Sequence, residues 1–409
     1  MKNSKPYVLF LVLSCPVTTA VHYFRNMVRL LGKDNVISCG PERSSISWDL
    51  KKGAEHEFGW DIELPKKDHP HMYSYTEIYD SIRAKGYSTD FDLILASDPN
   101  MFPFVGQDGF RPNCHISFYA CDTHRGPRSF MKVITLGKMD SFIQPNEYYK
   151  EVFEYPHVID GVHYNPEGKK FIISKSAFDD QIHKIYPDCE EFEKYDVIFV
   201  GNDGIDKWKG GAHENFQMSH KYADYHWKDD RGNTYKSETN VPLFNHGCPT
   251  DHRFFEYADR AELLCRLRKD FPNNFKILPG TLHAEDYAKT LNKGKIVINM
   301  SIAQDLNMRV GEALGCGRVL IADECEGMDS VCGINNITYV KYRKFYNPLN
   351  VNWDLTYDII KSKIQYFLAH REKIAEMQNN AYHWIRHSGN SYLDRVKMII
   401  KSTIGWEQN

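Results

Sequence analysis

At 409 residues the chain exceeds what one hydrophobic core usually serves, so two domains of ordinary size are expected. Its 42% hydrophobic and 26% charged residues exclude a disordered or collagen-like chain. With 51 Lys and Arg against 54 Asp and Glu there is no global positive field to recruit nucleic acid or an anionic membrane, so any polyanion must be held locally.

The first apolar run, YVLFLVLS, is only eight residues long, too short to span a bilayer, and SCPVTTAVHYFRN after it does not read as a signal-cleavage region. We read it as the first buried strand of a cytoplasmic protein. In TTAVHYFRNMVRLLG, Val21, Phe24, Val28 and Leu31 recur at helical spacing and predict one buried face, with Arg25 and Arg29 elsewhere. NVISCG, DLILASD, HISFYACD and MDSFIQP follow as further short strands. Strands alternating with helices predict a parallel sheet covered on both faces, a Rossmann-like domain over residues 1–175.

The polar stretch KSAFDDQIHKIYPDCEEFEKY suits a linker. A second series then runs DVIFVGN, FKILPG, KIVINMS, RVLIAD and ITYV, with the helical patterns RAELLCRLRKDF and AEDYAKTLNKG between strands, and predicts a second Rossmann-like domain over 190–385. Residues 386–409 are expected to form a C-terminal helix packing back on the first domain. An insertion at 203–252 holds seven aromatics, five histidines, six Lys and Arg and eight Asp and Glu, so it does not read as a phosphate clamp; acceptor binding and decoration both fit its length and polarity. Its His246, Cys248 and His252 lack a fourth ligand for zinc, no CxxC pair occurs among the ten cysteines, and no metal is expected.

In DLNMRVGEALGCGRVLIAD, from Asp305 to Asp323, a short helix starts where KIVINMS delivers Ser301 to Asp305, at the rim where open parallel sheets bind ligands. Its first N–H groups have no intrahelical partner and face the positive end of the helix dipole, so a diphosphate can be held there without a lysine. Arg309 adds a charge-assisted donor, Glu312 can accept from ribose hydroxyls, and Gly315 and Gly317 turn the chain back into a strand. The same spacing also describes an ordinary strand–helix–strand unit with a surface Arg–Glu pair.

Taken in order, DVIFVGN, NFKILPG, YAKTLNKGKIVINMS, NMRVGEALGCGRVLIAD and SGNSYLDRVKMII resemble the C-terminal half of GT-B glycosyltransferases, specifically the spore-maturation-protein-type group related to the large retaining family. The resemblance implies an α/β protein of two facing Rossmann-like domains with an interdomain cleft, a nucleotide-diphosphate sugar as donor substrate, no cofactor, and Glu312 at the ribose-binding position. Where the large retaining family has another glutamate, eight residues earlier, this chain has Gln304 beside Asp305. In the first half, HISFYACDTHRG looks like the group's strand ending in an acidic residue before a histidine. Asp122 would then be the general base on an acceptor hydroxyl and His124 would orient acceptor or phosphate; a strand-end Asp capping a helix is the plainer reading.

Between Thr123 and Lys138 lie Arg125, Arg128, Lys132 and Lys138 with no acidic residue, either a lip for an anionic ligand or a solvated basic face. Asn202, which ends DVIFVGN, and Lys207 and Lys209 just after it lie where relatives place phosphate-binding residues. The Asp90-Phe91-Asp92 string opens the predicted strand DLILASD at its N-terminal end, away from the ligand rim, so it does not suggest a metal-held donor. The expected activity is a metal-independent hexosyl- or pentosyltransferase. Its acceptor is a glycan, a protein, a small molecule or a hydroxymethylated viral DNA base. A GT-B-like epimerase or an inactive sugar-binding module are the alternatives.

Overall fold

The structure is a computed structural model and describes residues 5–11, 19–41, 61–65, 72–97, 102–120, 127–145, 147, 150–159, 161–201, 226–228, 234–236, 252–280, 284–301, 306–347 and 350–408. The chain divides into two units, one of residues 1–174 with 392–409 and one of residues 175–391.

In the first unit, strands β1 (Val8–Leu11), β2 (Val36–Pro41), β3 (Ile62–Leu64), β4 (Leu93–Ser97), β5 (His115–Tyr119), β6 (Ser141–Gln144) and β7 (Lys170–Ile173) form a seven-stranded sheet in the order β7-β6-β5-β4-β1-β2-β3. Every pairing is parallel; β1 sits between β2 and β4 with Val8 opposite both Val36 and Leu93. Such strands are buried on both faces, which is why they read as unbroken apolar runs. Helix α1 (Thr19–Leu31) follows β1 and α2 (Tyr75–Ala84) precedes β4. The sequence Ser-Tyr-Thr-Glu starts α2 with a reciprocal capping box, in which Ser74 N–H donates to Glu77 Oε2 at 2.8 Å and Glu77 N–H to Ser74 Oγ at 3.3 Å.

Helix α1 departs from the one-sided pattern expected of it. Val21, Phe24 and Leu31 are buried, but so are His22, Tyr23, Asn26, Met27 and Leu30. The cause is a helix distant in sequence, Tyr392–Ile404, which packs on α1 and stacks Tyr392 on His22 with ring centroids 4.9 Å apart. A helix covered on two sides needs apolar residues around most of its circumference.

The second unit holds β8 (Tyr195–Val200), α4 (His252–Asp270), β9 (Phe275–Leu278), α5 (Ala284–Asn292), β10 (Gly294–Asn299), α6 (Met308–Gly315), β11 (Val319–Asp323), β12 (Val340–Tyr342), α7 (Trp353–Ala369) and α8 (Arg371–His387), counting Pro127–Leu136 of the first unit as α3 and Tyr392–Ile404 as α9. Its parallel five-stranded sheet has the order β9-β8-β10-β11-β12. Side chains alternate across it. Val197, Phe199, Ile296, Ile298, Val319 and Ile321 pack toward one helical layer, whereas Ile198, Val200, Val297, Leu320 and Ala322 join Val310, Ala313 and Leu314 of α6. Fully burying each aliphatic side chain stabilises by roughly 1.5–3 kcal/mol, so the two-sided core fixes the strand register. Among the described residues no helix is long and apolar enough to cross a membrane.

Candidate functional site

In the second unit the chain leaves β8 toward one side of the sheet and leaves β10 toward the other. The strand order therefore reverses between β8 and β10, the place where open α/β sheets form a ligand crevice. Helix α6 starts at this crevice, directly after β10.

Asn307 is the N-cap residue of α6, with extended φ/ψ of −65° and 163°, but its side chain does not cap the helix. It turns instead to Asn299, donating from Nδ2 to Oδ1 at 3.1 Å. Val310 N–H already bonds the Asn307 carbonyl, leaving the N–H groups of Met308 and Arg309, in the first turn, as the donors with no intrahelical acceptor. The other end of α6 explains Gly-Cys-Gly. Arg318 N–H bonds Ala313 O and Gly317 N–H bonds Leu314 O, both at 2.9 Å, with Gly317 left-handed at φ +67°, which is a Schellman termination.

Arg309 lies across the crevice. Its Nε donates to Val200 O at 2.8 Å and its Nη1 to Asn299 Oδ1 at 2.9 Å, and its guanidinium stacks 4.5 Å from the Phe199 ring centroid. A Cβ on Gly201 would fall 2.5 Å from Arg309 Nη2 and push that guanidinium aside, and φ +144° at Gly201 is a backbone conformation that favours glycine. Tyr287 also bonds Arg309; burial, reinforced by the Glu312 carboxylate, pushes the Tyr287 phenol above its usual range.

Glu312 is 3% exposed, with Oε1 3.7 Å from His183 Nε2. The Asp179 N–H occupies His183 Nδ1 at 2.9 Å, so a neutral ring carries its proton on Nε2, toward the carboxylate. Ser301 is fully buried and both its N–H and its hydroxyl donate to Asp323 Oδ1, at 2.7 and 2.9 Å. The other oxygen of Asp323 pairs with Lys344 Nζ at 2.9 Å. Ser301 therefore braces the strand ends. Beside this pair, Asp259 accepts from Trp353 Nε1 at 2.9 Å, and burial raises its carboxyl to about 6, against the lowering effects of that bond and of Lys344.

The structure thus brings together Ser301, Asn307, Arg309 and Glu312 around one strand–helix junction. Asp122, His124, Arg125, Asn202, Lys207, Lys209, Gln304 and Asp305 lie outside the described residues, as do His246 and Cys248. Arg128 is described only as a backbone position in α3. Sequence reasoning missed Asn299, Lys344 and Asp259. Asn299 could have been found as the polar residue ending an apolar strand, whereas the pairing of Lys344 with Asp323 leaves no local signal. Cys316 is buried, and burial pushes its thiol up to about 12, which makes it a packing residue.

Residues 259–401, which contain this junction, match a family model described as glycosyl transferase-like. No curated protein matches the sequence. Over the whole chain the structure is similar to a glycosyltransferase from Rickettsia africae, with 14% identity, a TM-score of 0.55 and 97% of each chain covered. It is also similar to Anabaena HepE solved with UDP and glucose, with 13% identity, a TM-score of 0.54 and coverage of 97% of this chain and 99% of that one. An alpha-glucosyltransferase solved with UDP-glucose and DNA containing an abasic site aligns at 10% identity and a TM-score of 0.52, covering 93% and 95%. The class these likenesses define is the GT-B glycosyltransferase fold, mixed α/β with parallel sheets of seven and five strands. Within that class, the glycosyl transferase-like pattern covers 259–391 of the second unit and runs on into α9 of the first.

Proposed function

We propose that the protein transfers a sugar from a nucleotide-diphosphate donor to an acceptor hydroxyl, with the diphosphate held at the start of α6. The observation that carries this reading is the uncapped first turn of α6 opening at the strand-order reversal, with the Arg309 charge anchored beside it. As the anomeric bond breaks, negative charge grows on the leaving diphosphate. Donors already fixed toward that position stabilise the transition state more than the ground state, because they need no reorganisation. Arg309 is held by Val200 O, Asn299 and Phe199, so its charge is preorganised.

In this reading Glu312 takes the ribose hydroxyls and Asn307, Ser301 and Asp305 shape the phosphate loop. Asn202 supplies a neutral hydrogen-bond donor, and Lys207, Lys209, Arg125 and Arg128 supply further charge to the diphosphate or an anionic acceptor. Asp122 deprotonates the acceptor and His124 orients it. A divalent metal is not needed, since helix and arginine offset the diphosphate charge. UDP-hexoses are the first donors to try, because HepE was solved with UDP-glucose and this chain shares its fold.

The test is a thermal-shift panel of nucleotide sugars followed by an assay for donor-dependent release of nucleoside diphosphate, with and without EDTA. Stabilisation by at least one donor and EDTA-resistant turnover are expected; a donor at 100 times its Kd adds about 2.7 kcal/mol to stability. A chain that no donor stabilises would overturn the proposal.

A further inference from the structure

Edge strand β12 and helices α7 and α8 of the second unit enclose a cavity of about 480 Å³ that the donor reading does not use. Its floor is apolar, formed by the buried Val340, Phe367 and Met377, and its rim carries Ile337 and Tyr366, each 47% exposed. The sequence builds this wall by helical spacing. Lys363, Tyr366 and Phe367 fall on one face of α7, Lys373, Glu376 and Met377 on one face of α8, and the single residue His370 joins the two helices. The volume lies within the range of small-molecule sites, roughly 300–1,000 Å³.

Two cations line the cavity. Lys373 is neutralised by Glu376, with Nζ to Oε2 at 2.7 Å. Lys363 has no acidic partner among the described residues, and burial alone lowers its pKa. An ammonium half-removed from water beside apolar walls lacks both counter-charge and acceptors, and an incoming anion supplies both.

We propose that this groove binds a small organic anion, its flat apolar body lying on Val340, Phe367 and Met377 between Ile337 and Tyr366, and its single carboxylate, sulfonate or phosphate paired with Lys363. The volume suits a body of roughly ten to twenty heavy atoms. The site is separate from the donor crevice and stands or falls independently of it.

The probe is 8-anilinonaphthalene-1-sulfonate titrated into the full chain and followed by fluorescence, with mass-spectrometric acetylation of Lys363 measured in parallel. One saturable site is expected, together with protection of Lys363 from acetylation by bound dye. Lys363→Gln should weaken binding roughly tenfold, Lys363→Arg should keep it within about threefold, and Ile337→Asp should abolish it. Both positions are partly exposed, and the protection experiment needs no variant. Unaltered affinity in Lys363→Gln and Ile337→Asp, unprotected Lys363 at saturating dye, or displacement of the dye by UDP would each overturn the proposal.

Discussion

In the proposed function Arg309 serves stability and chemistry together. Replacing it with Ala removes charged hydrogen bonds to Val200 O and to Asn299 Oδ1, leaving the latter with the bond from Asn307 alone. We expect donor affinity to fall at least about tenfold and stability by roughly 1.5–3 kcal/mol, measured by titration calorimetry and urea unfolding. Glu312→Ala should weaken donor binding, while Asp122→Asn should leave it intact and stop transfer. Asp259 gives a pH prediction. Its folded carboxyl is raised from 3.8 to about 6, so its contribution to stability is fully present below pH 3.8 and is lost as pH rises through about 6. Asp259→Asn keeps an acceptor for Trp353 and does not titrate. The variant should match the wild type near pH 4 and exceed it above pH 6, by up to about 3 kcal/mol in thermal or urea unfolding; a difference independent of pH would refute this. The sequence singled out Asn307, Arg309 and Glu312 because they sit on the first turns of one short helix that starts at a strand end. It could not reveal that Arg309 is tied to Asn299, ten residues earlier, or that Asp323 faces Lys344, because side-chain pairing is set by the sheet order.

At the scale of elements, the strand–helix–strand unit β10-α6-β11 was legible because its punctuation is local: an apolar strand, an N-cap residue, an eight-residue helix and a left-handed glycine. Gly317→Ala should cost roughly 1–2 kcal/mol by forcing a Cβ into that left-handed conformation. Gly201→Ala should do more to function, since the added methyl collides with the Arg309 guanidinium and must displace it from the crevice. Loss of donor binding with a retained far-UV spectrum is the expected outcome, and wild-type binding would show that Arg309 can move without consequence. Helix α1 was legible as a helix but not in its burial. The one-faced pattern Val21, Phe24, Val28, Leu31 was only the side its own sequence announces, and Tyr392 on α9 covers another.

At the scale of the molecule, the two sheets obey different strand orders, and only topology locates the crevice. Alternating strands and helices in the sequence predict parallel sheets, yet the reversal between β8 and β10 depends on which neighbour each strand chooses. The helix Tyr392–Ile404 groups with the first unit although the second precedes it in the chain. Ending the chain at Ser391 should therefore lower the unfolding temperature of the first unit by exposing Tyr23 and His22, with the second unit's transition unchanged; loss of the second transition instead would reassign the helix. The central claim, that a nucleotide diphosphate binds at the start of α6, is tested most directly by a crystal structure with UDP-glucose. We expect diphosphate oxygens within hydrogen-bond distance of the Met308 and Arg309 N–H groups, whereas density for the nucleotide elsewhere, with this turn unoccupied at saturating donor, would contradict it.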